Sequence, residues 1–213
     1  MSDEVVDMLM VGGKKLDLGG ETVNVTVLFS DIRNFTTISE KLNAHEVVEM
    51  LNAYFSRTTE PILVEGGMVN KFIGDAVMAI FGSPVRYPDH ARRALRAALQ
   101  MAKEAEDFKQ WMRSRFPDRG LPEFGVGIGV HSGDAVIGDI GSVKRTEFTA
   151  IGDTVNAASR LEGVTKEMHC VLVASKATLA AAGEGVITGK QETIKVKGKD
   201  EAIEVFEVLG LKP

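Results

Sequence analysis

The sequence predicts an α/β or α+β fold built on one mixed sheet, and three observations lead there. Runs of β-forming apolar residues at 23–29, 68–73 and 76–81 are interleaved with two long helical periodicities, at 44–64 and 89–116. No internal repeat breaks this alternation, and 213 residues suit one domain that buries roughly 70% of its unfolded surface.

Composition narrows the function classes. Apolar content of 44% and charged content of 26% are ordinary for a soluble globular protein, and a net charge of -5 offers no electrostatic attraction to nucleic acid. Cys170 is the only cysteine, so there is no intramolecular disulfide and no Cys-rich zinc site, which fits a reducing cytosol. No run of 18 apolar residues and no signal-peptide pattern occurs, so the expectation is a cytoplasmic protein without a membrane span.

Residues 1–22 carry Gly12-Gly13 and Gly19-Gly20 without sustained periodicity and read as a leader or linker, which leaves 23–213 as the domain. Val23 to Phe29 reads as a buried central strand, and Asp31 ends it. From Ala44 to about Val64 the residues Val47, Val48, Leu51, Tyr54 and Phe55 recur every three or four positions, the mark of an amphipathic helix whose last turn Pro61 should bend or break. Met68 to Ile73 and Ala76 to Phe81 flank Gly74-Asp75, a hairpin turn signal. Asp89 is expected to cap the next helix, in which Ala91, Ala94, Leu95, Ala98, Ala102, Ala105, Phe108 and Met112 form one stripe. Phe124-Gly-Val-Gly-Ile-Gly-Val130 alternates bulk with glycine, a strand whose bare face admits a close neighbour; helix packing and ligand contact both satisfy that pattern. Glu147 to Ile151 reads as a strand, Gly152-Asp153 as a turn, and Thr154 to Glu162 as a helix. Val171–Ala174, 193–196 and Ala202–Val208 complete the strands. The methionines read as core filler, and His45, His90, His131 and His169 share no metal-ligand spacing.

Asp31 and Asp75 both fall where a β-run breaks. Strand ends that meet loops hold a carboxylate rigidly and leave it accessible, and two such carboxylates with substrate phosphates are a usual arrangement for Mg²⁺. Asn156 and Arg160 lie four apart and project from one helix face.

Val27-Leu-Phe-Ser-Asp31-Ile-Arg-Asn-Phe-Thr36, Lys71-Phe-Ile-Gly-Asp75 and Phe148-Thr149-Ala-Ile-Gly-Asp-Thr-Val-Asn156-Ala-Ala-Ser-Arg160 together resemble the catalytic domain of class III nucleotidyl cyclases, over about residues 23–208. Within that family the chain is similar to a bacterial, Thr-type, bicarbonate-responsive subgroup of adenylate cyclases. The resemblance implies an α+β fold with a ferredoxin-like βαββαβ core and extra strands. It implies conversion of ATP to 3′,5′-cyclic AMP and pyrophosphate, with two Mg²⁺ or Mn²⁺ ions per active site held by Asp31, Asp75 and the Ile32 carbonyl. It places phosphates at the turn around Phe35 and Thr36, Arg160 on the α-phosphate, Asn156 on the ribose, and Lys197 on the terminal phosphates, with Lys195 and Lys199 as rivals.

The resemblance puts Lys71 and Thr149 on the base. Lys71 can only donate, so it suits adenine N1 and opposes the N1 proton of guanine; Thr149 can accept from the adenine amine. A hydroxyl also donates, so discrimination rests mainly on Lys71. Family sites form between two domains, and all their positions are filled here, which implies a head-to-tail homodimer. An upstream sensory domain and activation by bicarbonate or CO₂ are further implications. The alternatives are a guanylate cyclase, which Lys71 opposes, and a catalytically silent nucleotide-binding regulatory domain, which should have lost Asp31, Asp75, Asn156 or Arg160. An enzyme joining two GTP molecules would need a Gly-Gly-Asp/Glu-Glu-Phe run, where this chain has Ile73-Gly-Asp75-Ala.

Overall fold

The structure, a computed structural model, describes residues 19–142, 144–195 and 202–212. It opens with β1 (Gly19–Ile32), α1 (Phe35–Lys41) and α2 (Ala44–Val64), then β2 (Met68–Ile73), β3 (Ala76–Phe81) and the long helix α3 (His90–Arg115). Next come β4 (Val126–Ser142), β5 (Arg145–Ile151), α4 (Asp153–Glu167), β6 (Leu172–Ser175), α5 (Lys176–Ala182), β7 (Val186–Lys195) and β8 (Ala202–Leu211). One sheet runs β2-β3-β1-β4-β6-β8-β7, with β5 pairing β4 off that path. β1 lies antiparallel between β3 and β4, whereas β4 and β6 are parallel. The order β2-β3-β1-β4, with helices between, is a ferredoxin-like βαββαβ core, and the remaining strands are additions to it.

β1 is apolar on both sides because both faces of the sheet are covered. Val23, Val25, Val27 and Phe29 belong to one buried cluster and Leu28 and Ile32 to another. On the second of these faces Met50 and Tyr54 from α2 pack with Leu95 and Phe108 from α3. The first face receives α4, and the glycines of β4 let it approach. A Cβ on Gly129 would stand 2.1 Å from the Glu162 backbone nitrogen and 2.6 Å from the Ala158 carbonyl oxygen. Helix backbone therefore lies directly on the strand, which decides the alternation of bulk and glycine in favour of packing.

α2 has the expected bounds, fixed at its start by a capping box in which Asn43 and Glu46 bond each other's backbone N–H. Pro61 neither ends nor breaks it. Pro61 sits in the last turn, where one backbone bond is lost, and its ring is buried in the core. Asp89 stands at the start of α3 without capping it, because its carboxylate instead accepts from Arg93 Nε at 2.8 Å. β1 begins at Gly19 rather than Val23, and β4 continues to Ser142; these extensions pair with each other from Gly19 opposite Asp139 onward. The short helix α5 was not expected. Met50, Met68, Met78, Met101, Met112 and Met168 are buried. Lys197 and Lys199 lie outside the described residues.

Candidate active site

β1 and the β2–β3 hairpin deliver their aspartates to one cavity of about 580 Å³, lined by Asp31, Ile32, Phe35, Thr36, Asp75 and Glu162 among others. Asp31 is the penultimate residue of β1, and Asp75 occupies the two-residue turn that Gly74 permits with φ 64°. Arg33 anchors the chain just beyond Asp31. Its guanidinium donates to the Val126 carbonyl at 3.0 Å and the Cys170 carbonyl at 2.6 Å, and its N–H to the Gly125 carbonyl at 2.8 Å. α1 follows from Asn34, whose φ of 58° turns the chain into the helix.

The carboxyls of Asp31 and Asp75 share a hydrogen bond, and the Ile32 N–H donates to Asp31 Oδ1 at 3.0 Å. Burial pushes the Asp75 carboxyl up to about 7, and the hydrogen bond and negative charge of Asp31 push the same way. Glu162, reaching the cavity from α4, is also raised to about 7, by burial first and then by Asp31, against the opposing charges of Arg33 and Lys166. Two carboxyls placed so that burial and the charge of Asp31 disfavour ionisation of Asp75 form a place where a divalent cation is electrostatically welcome. The donor set fits a hard ion. Its oxygens come from two side chains and a backbone carbonyl, leaving coordination positions for phosphate and water, as Mg²⁺ requires. Among the described residues no group of three or more His, Cys, Asp or Glu is placed to hold a metal ion by itself.

A second group forms on β2 and β5. Lys71 Nζ lies 2.7 Å from Glu147 Oε2, and Asn70 sits at an irregularity in the β2–β3 register between Val69 and Lys71. The Asn70 amide donates to the Phe148 carbonyl at 2.8 Å and accepts from the Thr149 hydroxyl at 2.8 Å. Lys71 and Thr149 are thus joined through Asn70 and its neighbours.

Asn156 and Arg160 both stand on α4, Asn156 exposed and Arg160 half-buried. Arg160 lines a different cavity, with Gly163, Val164, Glu167, Thr193 and Ile194. Sequence reasoning singled out neither Glu162 nor Asn70, since each acquires its place only from strands and helices distant along the chain.

A family model described as the adenylate and guanylate cyclase catalytic domain matches residues 20–209. The chain belongs to this family. This cyclase domain is 41% identical over 187 residues to adenylate cyclase 1 of Rhizobium meliloti (strain 1021), covering 88% of this chain and 28% of that protein. It is 36% identical over 201 residues to an adenylate cyclase of Anabaena cylindrica, covering 92% of this chain and 39% of that protein. The chain thus spans well under half the length of either relative. Among solved structures, the guanylyl cyclase Cya2 superposes with a TM-score of 0.83 at 33% identity, over 92% of this chain and 96% of that one. The adenylyl cyclase CyaB from P. aeruginosa gives 0.81 at 28% identity, over 92% and 98%. The neighbours thus include cyclases of both nucleotide specificities.

Proposed function

We propose that the chain cyclises ATP to 3′,5′-cyclic AMP and pyrophosphate at sites formed between two copies arranged head to tail. The observation that carries this reading is a separation within one chain. None of Lys71, Thr149, Asn156 or Arg160 lines the cavity that holds Asp31 and Asp75. One chain therefore offers two incomplete sets, and a two-fold axis that joins them completes two equivalent sites. Exposed apolar side chains support an interface. Phe72 and Ile73 at the hairpin tip are 49% and 52% exposed, and Val136 and Ile151, paired across β4 and β5, also stand open.

In the completed site Asp31, Asp75 and the Ile32 carbonyl would hold Mg²⁺ or Mn²⁺. Bound there, the divalent ions would acidify the ribose 3′-hydroxyl and brace the triphosphate. The 3′-oxygen bonds to the α-phosphorus as the bond from that phosphorus to the pyrophosphate oxygen breaks, and the hydroxyl proton leaves to solvent. Arg160 neutralises charge that grows on the α-phosphate, and Asn156 orients the ribose from the same helix face. Phe35 and Thr36 at the start of α1, with Lys197, receive the remaining phosphates. Lys71 donates to adenine N1 and Thr149 accepts from the exocyclic amine, which favours ATP over GTP. The adenylate cyclases among the sequence relatives agree with that preference.

The test is complementation. Asp75→Asn and Arg160→Ala are each expected to abolish cyclic AMP formation from ATP with Mg²⁺ or Mn²⁺. Mixed in equal amounts, they should recover about a quarter of wild-type activity, because half the dimers are mixed and each of those has one intact site of two. Recovery of nothing, with a mixed dimer demonstrated, would sink the head-to-tail reading.

A further inference from the structure

We infer that Asn70 is a specificity-determining positioning residue. It holds the Thr149 hydroxyl as a pure acceptor, so that the base site reads the adenine edge at two atoms rather than one. The inference rests on the nucleotide reading above and deepens it.

The argument starts from the Phe148 carbonyl, which can only accept. Its neighbour at 2.8 Å must therefore be the Asn70 NH₂, so the orientation of the Asn70 amide is settled. The other end of that amide, Oδ1, lies 2.8 Å from Thr149 Oγ1. An amide oxygen has no hydrogen to give, so the single hydroxyl hydrogen of Thr149 must point to Asn70. Thr149 is only 7% exposed, and water does not compete freely for that hydrogen. What remains on Thr149 Oγ1 is lone pairs. A hydroxyl that would otherwise accept from an amine or donate to a carbonyl has been given one polarity.

The backbone explains how Asn70 comes to be there. The register of β2 against β3 shifts between Val69 and Lys71, with Asn70 the extra residue. Such a bulge re-aims a side chain out of the regular alternation and is common beside active sites. Here the re-aimed amide reaches β5, and the next residue, Lys71, is ion-paired to Glu147 two residues before Thr149. A donor-only ammonium and an acceptor-only hydroxyl then match adenine, with its N1 acceptor and amine donor. They mismatch inosine or guanine at both atoms, where N1 donates and O6 accepts.

The experiment compares kcat/KM for ATP and for inosine triphosphate, which lacks the 2-amino group of guanine and so isolates the two atoms in question. In the wild type ATP is preferred. Asn70→Ala frees the hydroxyl to rotate and donate to O6, and the ATP/ITP ratio is expected to fall about three- to tenfold, the worth of one neutral hydrogen bond. Asn70→Leu fills the same volume without either bond and should lower the ratio equally, which guards against collapse of the truncated variant. Asn70→Asp still accepts from Thr149 and should retain the ratio even where overall rate falls. Thr149→Val should lower the ratio on its own, and Asn70→Ala added to it should lower it no further. Equal loss toward both nucleotides in Asn70→Ala and Asn70→Leu, or additive loss in the double variant, would overturn the assignment. A wild type that cyclises neither nucleotide, or prefers ITP, would instead overturn the adenylate reading beneath it.

Discussion

Asp75→Asn should make the metal-free protein more stable while it removes activity. The Asp75 carboxyl titrates near 7 in the folded chain, against about 3.9 for an ordinary aspartate in an unfolded one. Below pH 4 the group is protonated in both states and leaves stability untouched. As pH rises from 4 through 7 the unfolded chain ionises freely, but the folded chain must ionise a half-buried carboxyl beside Asp31, so stability drains away across that window. The gap between the two titrations corresponds to at most ~4 kcal/mol. Solvent screening at a half-exposed carboxyl brings the expected figure to about 1–2 kcal/mol. Asparagine carries no charge and escapes the loss. In a chelator at pH 8 the variant should therefore unfold about 2–6 °C above wild type, given the sensitivity of a chain this size. At pH 4.5 the two should nearly coincide, and saturating Mn²⁺ should reverse the order at pH 8 by stabilising only the wild type. Thermal unfolding followed by circular dichroism reads all three. A variant no more stable than wild type at pH 8 in chelator, or a difference that ignores pH, would refute the reasoning.

Three further outcomes are expected. Gly129→Ala should lower stability by about 2–4 kcal/mol in urea unfolding, because the added methyl meets the α4 backbone rather than a flexible side chain. Glu147→Gln should raise KM for ATP about two- to fivefold and leave the melting temperature within a degree or two, since its ion pair with Lys71 is partly exposed and orients the ammonium more than it stabilises the fold. If bicarbonate regulates this chain, as the resemblance to a responsive subgroup implies, cyclic AMP formation should rise with bicarbonate and not with chloride at constant pH and ionic strength; equal rates would remove that expectation.

Much of the core was legible because it obeys simple periodicities. α2, β2 and β3 have the bounds that alternation and three-to-four spacing imply, and Gly74-Asp75 is the turn they suggest. Asp31 and Asp75 could be paired on paper because each interrupts an apolar run. What escaped notice lacked a local signal. Gly19 to Thr22 resembles a linker until its partner on β4 is known, and residues 131–142 of β4 are too rich in glycine and polar residues to announce a strand. Asn70 shows nothing in sequence beyond its position before Lys71, since its role comes from β5, 78 residues away at Phe148. Glu162 is another helix carboxylate until burial and Asp31 act on it. Asp89 misled because the position of a cap does not guarantee the bond, and Arg93 took the carboxylate instead.

α4 is a party wall. Glu162, Gly163, Thr165 and Lys166 face the aspartate cavity, while Arg160, Gly163, Val164 and Glu167 face the other, so Gly163 belongs to both rooms. The wall is seated on the sheet through backbone at Gly129, with no long side chain between to absorb movement. A shift of α4 across the line between the two cavities would therefore alter the walls of both at once.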